Sequence, residues 1–276
     1  MLSQSYYNNL NITVFSDLDG SFLAPSTYSF DGALKGLNFL RDRKIEPVFA
    51  SSKTVTEISA IQRKINSRGP LICENGAAIV ETRPSENSIL KVFGRPRNTW
   101  MPRLVRLREE LGFNFHGFSD WSLSFLKERT GLTELSARAA QARSFSEPII
   151  WEDSDIKLDT FKAELGRLNL VVVEGGEFLS VQSNYDKGLA TSWWQSHSDN
   201  SNEIIVALGD GPNDQSMLSK ADIAVVIKSP KSHILDIQGP RRVIYTDNMG
   251  PQGWTEGVIE AFFTLSCLNL IRAKSA

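Results

Sequence analysis

The chain has 276 residues, enough for one large domain or two smaller ones, and its 41% hydrophobic content can fill a substantial core. With 30 basic against 32 acidic residues the net charge is −2, so charge gives no draw toward nucleic acid or any other polyanion. No apolar run approaches the ~20 residues of a membrane span, and residues 1–11 lack the basic-then-apolar layout of a signal peptide. Cys73 and Cys267 lie far apart in apolar surroundings and read as buried thiols of a reducing compartment. A cytoplasmic protein is expected, with no membrane or protein partner.

The first expected strand, residues 12–15, runs into Asp17-Leu18-Asp19-Gly20-Ser21. Side chains two apart on an extended segment point to one side, so Asp17 and Asp19 would face one site at the strand's carboxyl end. Two crowded carboxylates repel unless a cation or a proton lies between them. The pair therefore asks for a metal ion or an acid/base couple. A calcium loop starting at Asp17 fails, because its twelfth position is Tyr28 rather than Glu.

A helix is expected over 31–43 and a strand over 46–50, ending in Ser51-Ser52-Lys53-Thr54. Ser51 and Ser52 offer a hydroxyl and backbone N–H groups that suit a phosphate oxygen or, more plainly, a helix N-cap. A helix over 55–66 and a strand over 70–73 follow. From about 84 to 184 the pattern changes to a Pro/Arg/Asn-rich opening, then mixed helices and short strands such as 148–151 and 170–173. This stretch reads as an inserted α+β domain.

The alternating pattern resumes with helix 187–197 and strand 204–208, then helix 214–220, strands 223–227 and 242–245, and helix 255–265. Short apolar runs alternating with amphipathic ones indicate a parallel sheet covered by helices. Gly209-Asp210-Gly211-Pro212-Asn213-Asp214 places two more acids at a strand-to-helix junction. Asn213 or Asp214 can cap the helix; capping does not explain Asp210. A hard cation such as Mg²⁺ takes oxygen ligands, and Asp17, the Asp19 backbone carbonyl and Asp210 suit it, with Asp214 direct or through water. Lys187 would neutralise charge beside such a site. The three histidines, His116, His197 and His233, give neither zinc spacing nor a Ser-His-Asp triad.

In this order the segments resemble the four motifs of the haloacid dehalogenase superfamily of aspartate-nucleophile phosphatases. Asp17 to Ser21 matches the first, with Ser21 where Thr is usual; Ser51 matches the second, Lys187 the third, and Asp210 with Asp214 the fourth. The resemblance implies a Rossmann-like parallel-sheet core, residues 1–84 and 185–276, with an inserted α+β cap, residues 85–184, that selects substrate. It implies Asp17 as nucleophile and Asp19 as general acid/base. It implies Ser51, Ser52, Lys187 and Asn213 on the phosphate, and Mg²⁺ held by Asp17, Asp19, Asp210 and Asp214.

Closer strings are similar to the mannosyl-3-phosphoglycerate phosphatase subfamily: Ser51-Ser52-Lys53-Thr54, Glu74-Asn75-Gly76-Ala77-Ala78-Ile79, Phe145-Ser146-Glu147-Pro148 and the 209–214 loop. They imply a phosphorylated glycosyl-glycerate as substrate, with Lys53, Glu147 and Glu177 as candidates for contacting it. One string departs. A Gly-Gly-Arg-Phe-x-His-like stretch of the subfamily reads Gly175-Gly176-Glu177-Phe178-Leu179-Ser180 here, an acid replacing arginine and a serine replacing histidine. Lys53, or the arginines Arg138 and Arg143, can still serve an anionic group. Glucosyl-3-phosphoglycerate or another sugar phosphate, a phosphomutase reaction, and a non-catalytic phosphate-binding module are the alternatives.

Overall fold

The computed structural model describes residues 11–82, 87–175, 177–198 and 203–274, with side chains of the last helix described through Cys267. Nearly all of the polar opening segment, the expected boundary between 84 and 85, and Gly176 lie outside the described residues. By packing the chain divides into two compact units. One is Met1–Ala50, Ser67–Pro70 and Lys187–Ala276; the other is Ser51–Asn66 and Leu71–Asp186.

The first unit opens with β1 (Ile12–Ser16), a 3-10 turn (Asp31–Ala33), α1 (Leu34–Arg41) and β2 (Val48–Ala50). The second begins with α2 (Val55–Lys64), β3 (Leu71–Cys73), β4 (Ala78–Glu81) and β5 (Ser88–Val92). It continues through α3 (Met101–Leu111), β6 (Phe115–Gly117), α4 (Leu123–Thr130), α5 (Glu134–Gln141) and β7 (Ser146–Trp151). It closes with α6 (Asp155–Arg167), β8 (Leu170–Glu174) and β9 (Leu179–Ser183). The chain then returns to the first unit as α7 (Lys187–His197), β10 (Ile204–Gly209), α8 (Gln215–Leu218), β11 (Ile223–Lys228), β12 (Arg242–Met249) and α9 (Gly250–Lys274).

Within the first unit the strand order is β12-β11-β10-β1-β2, every neighbouring pair parallel. Parallel neighbours need long crossovers, which the helices supply, and both faces of such a sheet are covered. From β1 the chain steps one way to β2; from β10 it steps the other way to β11 and β12. Open α/β sheets bind ligands at such a switch point, beyond the strands' carboxyl ends. Register aligns the two central strands there: Ser16 pairs with Leu208, and the Asp17 N–H donates to the Leu208 carbonyl at 2.9 Å. The residues that follow β1 and β10 therefore emerge side by side. Below them Phe22 meets Phe49 and Trp254 edge-on, at 5.0 and 5.1 Å between ring centroids, locking the turn after β1 to the core.

In the second unit β3, β4 and β5 are antiparallel, and a separate antiparallel sheet has the order β6-β7-β9-β8. One face of that sheet buries Ile149 and Val181 against Trp100, Leu104, Phe161 and Leu165 from the flanks of α3 and α6. A smaller cluster of Phe118, Leu126, Ala137 and Ala140 unites α4 and α5. Those two helices start at Ser122 and Thr133, each of whose hydroxyls accepts from a backbone N–H of the first turn. The whole is α/β, a parallel-sheet core with helices plus an antiparallel α+β unit, as the alternating pattern indicates.

Some local expectations change. The helix expected over 31–43 is the 3-10 turn followed by α1, and the one expected over 214–220 is a 3-10 turn (Pro212–Asp214) followed by the single turn α8. The strand expected to stop at residue 245 continues to Met249, because Glu256 accepts from the N–H groups of Asp247 and Asn248 and holds that polar segment extended. Cys73 is buried, as expected. Cys267 is exposed, one turn after the exposed Phe263, while Leu265 and Ser266 take the buried side of α9.

Candidate active site

Asp17 follows β1 directly, and Lys187 opens α7 beside it. Lys187 is fully buried, and its Nζ donates to Asp17 Oδ1 and to Asp214 Oδ1, each at 2.6 Å. The other oxygen of Asp214 accepts the N–H groups of Asp210 and Gly211, at 3.0 and 3.1 Å. Asp214 thus ties the lysine to the turn that carries Asp210. Asp210 in turn accepts from the Ser21 hydroxyl at 3.2 Å. One chain of polar contacts runs from the first loop to the last.

Close approach of these loops requires glycine at particular places. Gly20 sits at φ +81, and a Cβ there would lie 2.6 Å from Asp210 Oδ2. At Gly209 a Cβ would lie 2.5 Å from the Asp214 Cβ. Gly20 and Gly209 are therefore spatial requirements of this close approach.

Asp17, Asp210 and Asp214 offer carboxylate oxygens all within 4.8 Å of one another. Burial first, then the Asp214 charge, push the Asp17 carboxyl well above the usual carboxylate range, while Lys187 pulls it down. Burial and then Asp214 push Asp210 up to about 7. For Lys187 burial works to lower the pKa, but Asp17 and Asp214 outweigh it and the net shift is upward. An all-oxygen donor set whose members resist joint ionisation fits a hard divalent cation, which favours their charged forms. Of the four metal candidates, Asp19 lies outside this carboxylate cluster, in a turn bridged to Leu23.

The remaining candidates contribute no carboxylate to that cluster. Asn213 is in the 3-10 turn between Asp210 and Asp214. Ser51, Ser52 and Lys53 belong to the second unit, where Ser51 Oγ accepts the Lys53 N–H at 3.2 Å. Thr54 forms a reciprocal capping box with Glu57 at the start of α2. Glu147 is buried; Oε1 accepts from the Ser119 N–H and hydroxyl at 2.8 and 2.7 Å, and Oε2 pairs with Arg97. Glu177 is half-exposed and pairs with Arg129.

Two supporting groups escaped sequence reasoning. Ser229, just after β11, donates to the Asp210 carbonyl at 2.7 Å. Ser16 donates to the Asp17 carbonyl at 2.7 Å and accepts from Trp254 Nε1 at 2.8 Å. A Ser-Pro pair after a buried strand is a faint signal for the first; no local pattern announces the second.

No helix of the described residues is long and apolar enough to cross a membrane. A family model described as haloacid dehalogenase-like hydrolase matches residues 14–93 and 147–237, more than half of the chain. Among solved structures, a haloacid dehalogenase-like hydrolase from Bacteroides thetaiotaomicron is similar, with TM-score 0.64 and 18% identity over 93% of this chain and 100% of that one. A subclass IIB sugar phosphatase gives TM-score 0.64 and 14% identity over 92% and 98%. Sucrose-phosphatase from Synechocystis sp. PCC6803, solved with sucrose and phosphate, gives TM-score 0.58 and 14% identity over 93% and 98%. At such identities the likeness is one of fold. The family match, however, spans the end of β1 with the two acids that follow it and the returning segment with Lys187, Asp210 and Asp214, and the chain belongs to the haloacid dehalogenase-like hydrolases.

Proposed function

We propose that the chain hydrolyses phosphomonoesters with Mg²⁺ through a phosphoryl group carried on Asp17, and that its substrate is a phosphorylated glycosyl-glycerate, mannosyl-3-phosphoglycerate first. The observation that carries this is the buried Lys187 ammonium held between Asp17 and Asp214 at 2.6 Å. A cation fixed against a carboxylate at a sheet's switch point works against the burial that would protonate it, and so favours the ionised form that a nucleophile needs.

An Asp17 oxygen attacks phosphorus and the ester P–O bond breaks. Asp19 gives its proton to the leaving alkoxide. Water then attacks the same phosphorus, Asp19 takes the water's proton, and the bond to Asp17 breaks to release orthophosphate. Lys187 offsets charge on the transferring group throughout, and Ser51, Ser52 and Asn213 donate to its oxygens. Asp17, the Asp19 carbonyl, Asp210 and Asp214 would hold Mg²⁺, which supplies further charge neutralisation for the incoming phosphate. Residues 85–184 serve as the substrate-selecting insert, with Lys53 the candidate for the glycerate carboxylate.

A second reading keeps the chemistry and changes the sugar or drops the glycerate. It is favoured by Glu177, an acid paired with Arg129 where the subfamily string has arginine. The fold neighbours named sugar phosphatase and sucrose-phosphatase are compatible with it.

Phosphate release with Mg²⁺ from both glycosyl-3-phosphoglycerates and a set of sugar phosphates separates the readings by kcat/KM. Asp17→Asn should lower kcat by about ten-thousandfold. Full activity of that variant would sink the mechanism, and isomerised sugar phosphate in place of free phosphate would make the enzyme a mutase. Stabilisation by ligands with no turnover would make it a binding module.

A further inference from the structure

Three consecutive carbonyls after β2 are each held by a separate donor of the second unit. Ser51 C=O accepts the Asn75 N–H at 2.8 Å, Ser52 C=O accepts Arg143 Nη1 at 3.0 Å, and Lys53 C=O accepts the Glu74 N–H at 2.9 Å. The peptides are trans, so each N–H points opposite to its anchored carbonyl. The N–H groups of Ser52, Lys53 and Thr54 are therefore each turned away from the donor that holds the carbonyl of the same peptide. Two of them have local uses: Lys53 N–H meets Ser51 Oγ at 3.2 Å, and Thr54 N–H meets Glu57 Oε2 at 2.9 Å. Because Ser51 Oγ accepts from Lys53, its own proton is the one it has to give.

The donors form a frame. Glu74 and Asn75 stand at φ +46 and +62, a conformation that costs non-glycine residues energy and persists only when surroundings enforce it. Here the Glu74 carboxylate accepts from the N–H groups of Ser144, Phe145 and Ser146 and from the Ser146 hydroxyl, at 2.7 to 3.0 Å. The same segment carries Arg143, whose Nη1 also reaches Ser146 Oγ at 3.0 Å and whose Nε reaches the Ala140 carbonyl at 3.2 Å. Its guanidinium lies 5.5 Å from the Phe118 ring centre. Thr54 Oγ1 donates to the Ala139 carbonyl at 2.9 Å and closes the far side. Of the three carbonyl anchors, Arg143 is the side chain, and so the one that a substitution removes.

We propose that Arg143 is a positioning residue for phosphate capture: by holding the Ser52 carbonyl it aims the Lys53 N–H of the same peptide at Ser51 Oγ, and so sets the hydroxyl that this loop offers to phosphate. Arg143 is then committed to this loop and is not a ligand for the substrate's own anionic group. The inference rests on the reading of Ser51 and Ser52 as phosphate donors.

The test compares the full chain with Arg143→Met and Arg143→Lys in three measurements with Mg²⁺: orthophosphate binding by calorimetry, and hydrolysis of p-nitrophenyl phosphate and of a glycosyl-3-phosphoglycerate. Arg143→Met should weaken orthophosphate about tenfold and raise KM for both substrates by the same factor, with a smaller change in kcat. Arg143→Lys, which keeps one donor but not the fork, should fall between it and the parent. Unchanged orthophosphate affinity in folded Arg143→Met overturns the proposal, as does a loss confined to the glycerate-bearing substrate, which would mean direct contact. If Arg143→Met does not fold, amide exchange in Arg143→Lys decides: faster exchange at Lys53 and Thr54 supports the proposal, and parent-like exchange with parent-like affinity overturns it. A parent chain that binds orthophosphate yet hydrolyses nothing would sink the proposed function and leave this test intact.

Discussion

Lys187 is the least replaceable side chain at the site, because it is fully buried and has two carboxylates within 2.6 Å. Removing one member of a buried ionic group strands the others without compensation, at a cost of about 3–5 kcal/mol. Lys187→Met should lose stability on that scale in urea unfolding and lose phosphate release with it. Lys187→Met combined with Asp214→Asn should regain part of the stability and none of the activity, because the second change removes a stranded charge while the asparagine carbonyl still accepts the N–H groups of Asp210 and Gly211. Equal stability of the single and double variants would refute this account. The placements of Asp17, Lys187, Asp210 and Asp214 were legible in sequence because each sits at the start or end of a strongly patterned element. Ser16 was not legible, since its partner Trp254 is 238 positions away and neither residue is unusual in its own neighbourhood.

Among elements, the start of α7 is the most tightly fitted. A Cβ on Gly188 would come within 2.6 Å of the Ser216 backbone carbonyl, and the Gly188 N–H already donates to the Ser216 hydroxyl at 3.1 Å. Backbone cannot swing aside as a flexible side chain can, so Gly188→Ala should push α7 off α8 and cost about 1–3 kcal/mol. Lys187 would move with it, so kcat should fall while far-ultraviolet circular dichroism stays helical. A fully active Gly188→Ala would show that the lysine tolerates displacement. The same scale explains what sequence patterns caught. Strands β1, β2, β10 and β11 are mostly apolar and almost wholly buried, and these are easy to see, whereas β12 at the edge alternates buried and exposed residues. The 3-10 turns at 31–33 and 212–214 break helical hydrogen bonding without breaking the polar-apolar pattern, and the polar end of β12 is extended only because Glu256 holds it.

For the whole molecule the acid cluster sets a direction of pH dependence opposite to the usual one for carboxylates. Asp210 is pushed up to about 7 by burial and then by Asp214, and Asp17 is raised in the same sense. An unfolded aspartate titrates near 4. Between those values the folded chain keeps protons that the unfolded chain has released, so metal-free stability present below pH 4 is lost as pH rises toward and through 7. In EDTA the Tm should fall from pH 5 to pH 8, and Mg²⁺ should raise it more at pH 8 than at pH 5. An Mg²⁺ effect equal at both values would contradict the carboxylate site. The bond from Trp254 to Ser16 adds a constraint in time. A chain emerging from the ribosome has every acid of the cluster once residue 214 is made, yet the donor that steadies Ser16 beside Asp17 arrives only with Trp254 in α9. The carboxylate that follows β1 is thus steadied by a residue made long after it, and a chain cut short before residue 254 would carry the acid cluster without that footing.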